Sequence, residues 1–305
     1  MAQLQQVQVT RYIRGLRGGT QPMLAGASDG YAYVVKFTNN LQGQQVLFNE
    51  GAGSEMYRAC GLSGAHWSPL FVSDGFLDRN RDCWMRTADG LRRPEPGLCF
   101  GSRFLGGDGQ RLFEILPGSN FTRIPERSTL WLAWLIDICC EHADNHQAVF
   151  VEDGERQLHA QFIDHGHMFG GPHGLDRPRP HASSYLDPRV YPDLLSSELT
   201  GFLRRLSELD TDRLVRQVND LPDDWKSDSA LGCFERCIDR LSTESLLRNV
   251  LDEIEDIHRR RTRSERSRRC SELECELPFL RPRIPSKPLG RCGAGAQWAG
   301  CGAAG

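Results

Sequence analysis

The stretch HADNHQAVF, residues 142–150, places a cluster of polar side chains between two segments of buried character. The apolar run TLWLAWLIDICC (129–140) ends just before this cluster, and the strand-like run QAVFVED (147–153) begins inside it. Polar groups in such a position lose solvation unless they find partners or take part in chemistry. The stretch therefore indicates a functional loop between a buried helix and a strand.

The residues after this loop predict a β-hairpin. The runs 147–153 and 158–164 have strand character and are joined by the turn residues DGER. Because a hairpin folds back on itself, we expect Asp144, Gln147 and Asp164 to converge at its open end. Two carboxylates and an amide oxygen are hard ligands that suit Mg²⁺ bridging phosphates. One of the carboxylates could instead accept a proton from an attacking hydroxyl group.

Earlier in the chain, short alternating runs predict a small sheet with one helix. Strands are predicted in QVQVTRYI (6–13), on both sides of the SDG turn in MLAGASDGYAYVVKF (23–37), in AHWSPLFVS (65–73), near DCWMRT (82–87) and near LCFGSRFL (98–105). A helix is predicted over QVLFNEGAGSEMYRACGL (45–62), although its two glycines weaken helix propensity. The first part of the chain is therefore expected to be rich in β-structure.

The second part of the chain is predicted to be mostly helical. Helices fit residues 125–142, 195–209, 210–221 and 229–261, the last of them broken near Ser242. The expected fold class is α+β with two lobes, a β-rich N-terminal lobe (about 1–115) and a mostly helical C-terminal lobe (about 116–258). Residues 259–305 begin with an arginine-rich run and continue with Gly, Pro, Ala and Cys, which predicts a disordered tail.

Composition excludes several classes of function. The formal net charge of −3 gives no field that would attract nucleic acid or an anionic membrane, and no apolar run reaches the ~18 residues that span a bilayer. Together with the lack of an apolar signal-peptide core, these features predict a cytoplasmic protein without membrane or nucleic-acid partners. The 11 cysteines are never spaced as C-x-x-C and are expected to be buried free thiols.

A lysine in the predicted sheet is the next candidate for chemistry. In YAYVVKF, alternation places Lys36 on the same face as Ala32 and Val34. A cation on such a face must reach solvent, pair with a carboxylate or bind an anion such as phosphate. Glu50, early in the following helix, can reach Lys36 if that helix packs across the sheet. Glu55 is a rival partner, and either glutamate could instead lie on an exposed face.

Histidines near the polar loop raise a different possibility. His142, Asp144 and His146 form the pattern H-x-D-x-H. Three further histidines lie near the predicted hairpin: His159, His165 and His167. A dinuclear metal-dependent hydrolase could use such a set of ligands. This possibility remains an alternative at the level of sequence.

Taken together, four short blocks resemble one known family. The blocks YVVKF (33–37), NE (49–50), DNHQAVF (144–150) and FIDHG (162–166) are similar in order and spacing to those of HipA-like kinase domains, which belong to the protein-kinase and phosphoinositide-kinase-like fold. The resemblance extends from about Gln6 to about Asp256. It implies a kinase that uses ATP and Mg²⁺ to phosphorylate a hydroxyl group, on a protein Ser or Thr, on the enzyme itself or on a small molecule.

The resemblance also implies individual roles. Lys36 would contact the nucleotide phosphates and act in catalysis, and Glu50 would pair with it. Asp144 would orient or deprotonate the attacking hydroxyl group. Asp164 would be the principal Mg²⁺ ligand, with Gln147 near the place where such kinases carry a metal-binding Asn. These five residues are the predicted catalytic, nucleotide-binding and metal-binding set.

Three departures from the family pattern matter. The position five residues after Asp144, where the fold usually has Asn, is Val149. The block DHG (164–166) stands where DFG is usual, and the loop expected to cover the phosphates, AGASDGY (25–31), is poor in glycine. These departures leave open a second hypothesis, a pseudokinase-like module that binds nucleotide without turnover.

Overall fold

The structure is a computed structural model that describes residues 6–106, 111–145, 147–173, 185–241, 259, 262 and 263. The described residues from 6 to 241 belong to one compact unit. The predicted tail from residue 259 onward lies almost wholly outside the described residues. None of the described helices is long and apolar enough to cross a membrane.

Ten strands and six helices make up the described fold. The strands are β1 (Val9–Gly15), β2 (Met23–Ala27), β3 (Ala32–Lys36), β4 (Trp67–Val72), β5 (Met85–Thr87), β6 (Gly90–Arg92), β7 (Gly97–Arg103), β8 (Leu112–Phe113), β9 (Gln147–Glu152) and β10 (Leu158–Ile163). The helices are α1 (Val46–Ala59), α2 (Asp74–Arg79), α3 (Thr129–Cys139), α4 (Ser196–Ser207), α5 (Thr211–Asn219) and α6 (Asp228–Arg240). The α+β class and its order, strands first and helices later, are confirmed.

The N-terminal part is built on a five-stranded antiparallel sheet in the order β1-β2-β3-β7-β4. The alternation predicted for β3 is present. Tyr33, Val35 and Phe37 are buried on one face of the sheet, in a hydrophobic cluster separate from the main core. Lys36 points to the opposite face. The predicted SDG turn joins β2 to β3, with Gly30 at a φ of +87° that favours glycine.

Helix α1 packs between this sheet and the helical part of the chain. Eleven of its 14 residues are buried, so the helix lacks the broad solvent-exposed polar face that a surface helix has. The glycines that weaken its propensity have a packing role. A Cβ on Gly51 would lie 2.8 Å from Leu221, and one on Gly53 would lie 2.5 Å from the Cβ of His165. These two glycines therefore let neighbouring segments approach the helix closely.

The C-terminal part has α3 at its centre. Nine of the 11 residues of this helix are buried, which fits the apolar run predicted to be a buried helix. The helix is shorter than the predicted 125–142, because residues 125–128 form turns before it. The predicted hairpin is present as β9 and β10, and β8 adds a third strand that the sequence did not indicate.

Other details of the secondary structure differ from expectation. Helix α2 lies in the Gly-, Pro- and Arg-rich region 74–110, which shows no helical periodicity. Ser73 caps it by accepting a hydrogen bond from the backbone N–H of Phe76. The strand predicted over 82–87 is confined to β5, because residues 81–83 form a 3₁₀ turn. Local turns and caps of this kind lack a periodic signal.

The cysteines agree with the prediction of free thiols. All seven that the structure describes are free and buried: Cys60, Cys83, Cys99, Cys139, Cys140, Cys233 and Cys237. Burial raises the pKa of the Cys99 thiol to about 12, so the group stays protonated and behaves as a small apolar side chain. The remaining four cysteines lie outside the described residues.

The packing of α1 generates a stability prediction. Gly53→Ala should lower the free energy of unfolding by about 1–3 kcal/mol, because the new methyl group overlaps His165 and Met168. Gly201→Ala in α4 is the matched control, since no atom lies within 4 Å of its added Cβ. The control should raise stability by about 0.5–1 kcal/mol through helix propensity alone. Urea denaturation measures the free energy of unfolding of both variants. Equal changes in the two variants would contradict the packing role assigned to Gly53.

Candidate active site

The Lys36 side chain lies at the centre of the candidate site. It is only 7% exposed, and its Nζ donates hydrogen bonds to Glu50 Oε1 and, at 2.7 Å, to Asp164 Oδ1. Burial alone would lower the pKa of Lys36, but the negative charges of Asp164 and Glu50 outweigh it and raise the pKa above its usual value. The lysine therefore stays charged between two carboxylates.

Glu50, rather than its rival Glu55, is the glutamate that reaches Lys36. Glu55 is used elsewhere, because it pairs with Arg58 and accepts a hydrogen bond of 3.0 Å from Trp67 Nε1. Glu50 also accepts hydrogen bonds from the backbone N–H groups of His165 (3.2 Å) and Gly166 (3.0 Å). Burial raises the pKa of Glu50, an effect that Lys36 opposes. Glu50 thus joins the lysine to the segment that follows Asp164.

Asn49, the neighbour of Glu50, fastens the same segment from its other side. Its Nδ2 donates to the carbonyl oxygens of Gly166 (3.0 Å) and Gly171 (3.2 Å). Gly166 has little room for a side chain, because a Cβ there would lie 2.9 Å from Glu50 Oε1. The NE pair at the start of α1 therefore fixes the backbone immediately after Asp164.

Asp164 lies where β10 ends, with its backbone in the left-handed region at a φ of +63°. Such a conformation is uncommon for a residue other than glycine and is often found at functional sites. The side chain is 35% exposed. Burial tends to raise its pKa, but the charge and hydrogen bond of Lys36 hold that pKa well below its usual range. Asp164 therefore presents an ionised carboxylate.

The hairpin brings Asp144 and Gln147 to the same place. Gln147 is paired with Ile163 in the ladder between β9 and β10, so it lies beside the residue that precedes Asp164. The Asp144 carboxylate accepts a hydrogen bond of 2.8 Å from the backbone N–H of Asn145. All five predicted site residues line one cavity: Lys36, Glu50, Asp144, Gln147 and Asp164.

This cavity has a volume of about 900 Å³. The strand β3, the helix α1 and the segment 100–105 line it from the N-terminal part. Residues of the segments 112–115, 144–145, 147–149, 162–167 and 185–186 line it from the C-terminal part. Val149 is also among the lining residues and is 8% exposed, so the position where kinases carry Asn is apolar here. The cavity is large enough for a nucleotide-sized ligand.

The loop predicted to cover the phosphates, residues 25–31, does not line this cavity. Residues 25–31 contain the end of β2 and the turn to β3, and the cavity is not lined by them. The loop at its edge connects β1 to β2 and contributes Arg17, Gly18 and Gly19. A sequence signal for this loop is the pair of adjacent glycines, Gly18 and Gly19, in the segment GLRGGTQP (15–22) between two predicted strands.

The histidines do not form a metal cluster among the residues described. His165 is buried against the Tyr57 ring at 4.4 Å between centroids, and burial lowers its pKa to about 3, which keeps it neutral. His159 is exposed and contacts Asp153 at 2.8 Å. His146 lies outside the described residues. Within the described part of the chain, no three His, Cys, Asp or Glu side chains are placed to hold a metal ion, which gives the hydrolase alternative no support.

A buried pair that the sequence did not reveal connects the two helices at the site. The Tyr57 hydroxyl donates a hydrogen bond of 2.7 Å to Asp137 Oδ1, and Asp137 is fully buried in α3. Burial, together with this carboxylate, raises the pKa of Tyr57. Because Tyr57 lies two turns after Glu50, and Asp137 seven residues before Asp144, the bond couples the helices that carry these site residues.

Comparisons with known proteins were made by sequence and by structure. No family model and no curated protein matches the sequence. A proinflammatory kinase of Helicobacter pylori, CtkA, matches by structure with a TM-score of 0.52 and 10% identity, over 81% of this chain and 96% of that chain. The chain therefore has a kinase-like fold, whereas membership of the HipA-like family is not established by these comparisons.

Two further structures match less closely. Hydra Fam20, solved with sugar, has a TM-score of 0.46 and 12% identity over 81% of this chain and 86% of that chain. The Golgi casein kinase, solved with Mn and ADP bound, has a TM-score of 0.45 and 13% identity over 80% of this chain and 73% of that chain.

The buried lysine gives a binding prediction. If Lys36 contacts nucleotide phosphates, as the resemblance implies, Lys36→Met should weaken Mg·ATP binding by about tenfold to about a hundredfold, while adenosine binding should change little. The control is Lys226→Met, whose lysine pairs with Asp223 away from the cavity. Isothermal titration of both variants, with circular dichroism to verify folding, measures the difference. An equal loss of affinity for adenosine would refute a phosphate contact.

Proposed function

We propose that this chain is an ATP- and Mg²⁺-dependent phosphotransferase of the HipA-like type, acting on a Ser or Thr of a protein or on itself. The observation that carries the proposal is the position of Lys36 Nζ between Glu50 and Asp164, with Asp144 lining the same cavity. Phosphoryl transfer depends mainly on positioning and on neutralising charge. The Lys36 ammonium group and the three carboxylates at the cavity provide groups for positioning and for neutralising charge.

Lys36 is suited to hold nucleotide phosphates. Its ammonium group is fixed at the base of the cavity by Glu50, which is itself held by two backbone N–H groups. A charge fixed in this way does not have to reorganise when a polyphosphate arrives. Glu50 therefore acts as the residue that positions Lys36, and the kinase-like fold is consistent with a nucleotide in this cavity.

The residues around Asp164 fit a divalent cation. Asp164 offers a partly exposed carboxylate, and Gln147 offers an exposed amide at the start of the neighbouring strand. Both are hard oxygen donors of the kind Mg²⁺ prefers, and Mg²⁺ usually takes its remaining ligands from water and substrate phosphates. Bound there, the ion would supply positive charge that neutralises the phosphates. Asp164 and Gln147 are the residues that would hold it.

Asp144 is suited to act on the acceptor hydroxyl. It lies in the short loop between α3 and β9, and the same loop is anchored where His142 Nδ1 meets the carbonyl oxygen of Asp144 at 2.5 Å. Anchoring the backbone holds Asp144 in place at the cavity, where its carboxylate can accept the hydroxyl proton or orient the hydroxyl group for attack on the terminal phosphate.

A second candidate function is a nucleotide-binding module without turnover. The observation that favours it is Val149, an apolar residue at a position where active kinases carry a metal-binding Asn. With fewer oxygen donors at the site, nucleotide can still bind through Lys36, while stabilisation of the transferring phosphoryl group is reduced. The two candidates differ in turnover rather than in binding.

One experiment separates the two functions and tests both. Purified protein is incubated with γ-labelled ATP and Mg²⁺, and phosphate transfer to itself and to added protein acceptors is measured. Asp144→Asn should reduce the transfer rate about 10²–10⁴-fold while nucleotide affinity stays near that of the wild type. Asp153→Asn, on the exposed hairpin turn, is the control and should retain activity.

Each result has a distinct meaning. Nucleotide binding without transfer by the wild-type protein would favour the module that lacks turnover. Transfer that survives Asp144→Asn would remove that residue from catalysis. A protein that binds no nucleotide in the presence of Mg²⁺ or Mn²⁺ would contradict both candidates.

A further inference from the structure

The loop between β1 and β2 is held in a defined shape. The backbone N–H of Leu16 donates to the carbonyl oxygen of Pro22 at 2.8 Å, and that of Gln21 donates to Gly18 at 3.1 Å. The Gln21 side chain then makes two hydrogen bonds of 2.7 Å with the backbone of Arg86, one as donor and one as acceptor. This connection fixes the base of the loop to the hairpin formed by β5 and β6.

The tip of the same loop has a separate support. Gly19 packs directly on the Gln42 side chain, because a Cβ at Gly19 would lie 2.3 Å from Gln42 Nε2. The adjacent Gly43 lies against the Pro172 carbonyl oxygen, 2.4 Å from where its own Cβ would be. Through Gln42 and Gly43, the tip is connected to the part of the chain that follows Asp164. The supports do not involve the loop's charged side chains.

Two arginines in this region, Arg14 and Arg17, have unused charge. Both are exposed and line the cavity, and neither guanidinium group has a hydrogen bond or an ion pair within the described residues. Other arginines of the chain are engaged; for example, Arg93 pairs with both Asp74 and Asp78. The two guanidinium groups, one near the end of β1 and one on the supported loop, have no carboxylate partner and are available to bind an anionic ligand.

The charges inside the cavity show what these arginines add. Four carboxylates line it: Glu50, Glu114, Asp144 and Asp164. Against them stand Lys36, which is paired with two of the four, and Arg103, whose guanidinium lies 3.4 Å from the centre of the Tyr31 ring. Arg14 and Arg17 bring the lining to neutrality and supply positive charge at the exposed edge of the cavity, whereas Lys36 supplies it at the base.

Two exposed apolar side chains also belong to the lining of this cavity. Ile115 and Leu186 line the cavity and are each 70% exposed, among the most exposed large apolar side chains of the described residues. A small anion without an apolar part uses cationic groups but not such apolar contacts. A polypeptide that carries acidic and apolar side chains uses both.

We propose that Arg14, Arg17, Ile115 and Leu186 form an acceptor-binding rim that takes an acidic segment of a protein substrate. The two arginines hold carboxylates of that segment, and the apolar pair contacts a neighbouring side chain. A Ser or Thr of the segment then reaches Asp144. This inference rests on the proposed function for its role in catalysis, although the binding surface itself requires no turnover.

The test measures peptide binding by the full chain in the absence of nucleotide. The probe is a fluorescein-labelled 12-residue peptide with a central Ser, flanked by Glu and Leu, and its twin carries Lys in place of every Glu. Anisotropy should show binding of the acidic peptide only, with an affinity that falls as salt rises. Arg14→Gln/Arg17→Gln should weaken it by about tenfold or more, at about 1 kcal/mol or more per lost charge contact.

Arg11→Gln provides the matched control. Arg11 is an exposed arginine of β1 that also has no ion pair within the described part of the chain, but it does not line the cavity. This variant should bind the acidic peptide as the wild type does. A separate Leu186→Ser variant should weaken the same peptide by several-fold, and the loss should disappear when Ala replaces Leu in the peptide.

Three results would overturn the proposal. The first is unchanged peptide affinity in the double arginine variant, and the second is equal binding of the acidic and the basic peptide. The third is a loss of Mg·ATP affinity in that variant with unchanged peptide affinity, since the arginines would then serve the nucleotide. If the protein bound the acidic peptide selectively but bound no nucleotide, the rim proposal would stand and only the proposed function would be contradicted. Failure of the rim and failure of the proposed function are therefore distinguishable.

Discussion

The ammonium group of Lys36, held between Glu50 and Asp164, is the interaction on which the rest of the site depends. Burying a lone charge costs several kcal/mol, and the cost is offset only when partners are placed well and their remaining hydrogen bonds are satisfied. Here the three charged groups come from β3, α1 and the end of β10. The interaction therefore requires the sheet, the first helix and the hairpin to meet at one point.

Several features of the chain serve this meeting point. The backbone N–H groups of His165 and Gly166 satisfy the Glu50 carboxylate, and Gly53 lets the same segment lie against α1. The hydrogen bond from Tyr57 to Asp137 then links α1 to α3, whose end leads into the loop with Asp144. Since these contacts share the helix α1, a shift of that helix would disturb all of the site residues together.

Much of this arrangement was predictable from the sequence because it is local. Alternation and the SDG turn fixed the direction of Lys36 in β3, and the DGER turn made the hairpin bring Asp164 back towards Gln147. The residue pattern alone could not choose Glu50 over Glu55, because the choice depends on how α1 is rotated against the sheet; only the family resemblance favoured Glu50. That rotation is set by tertiary contacts such as the close packing at Gly51 and Gly53.

Other parts of the site had weak or misleading signals. The turn that contains Gly30 was expected to cover the phosphates but does not line the cavity. Gly18 and Gly19, in the preceding loop, lie at the edge of the cavity. The Tyr57–Asp137 bond joins residues 80 positions apart and left no pattern in either helix. Position 149, by contrast, could be interpreted from the sequence alone. The residue there is the apolar Val149, and its side chain is buried in the wall of the cavity.

The most direct test of the account is a double-mutant cycle on Lys36 and Asp164. Affinity for Mg·ATP is measured for the wild type, Lys36→Met, Asp164→Asn and the double variant, after verifying that each is folded. If the two groups form one phosphate- and metal-binding centre, the losses should be non-additive, with a coupling energy of about 1 kcal/mol or more. Losses that add within about 0.5 kcal/mol, or no loss at all, would contradict a shared centre.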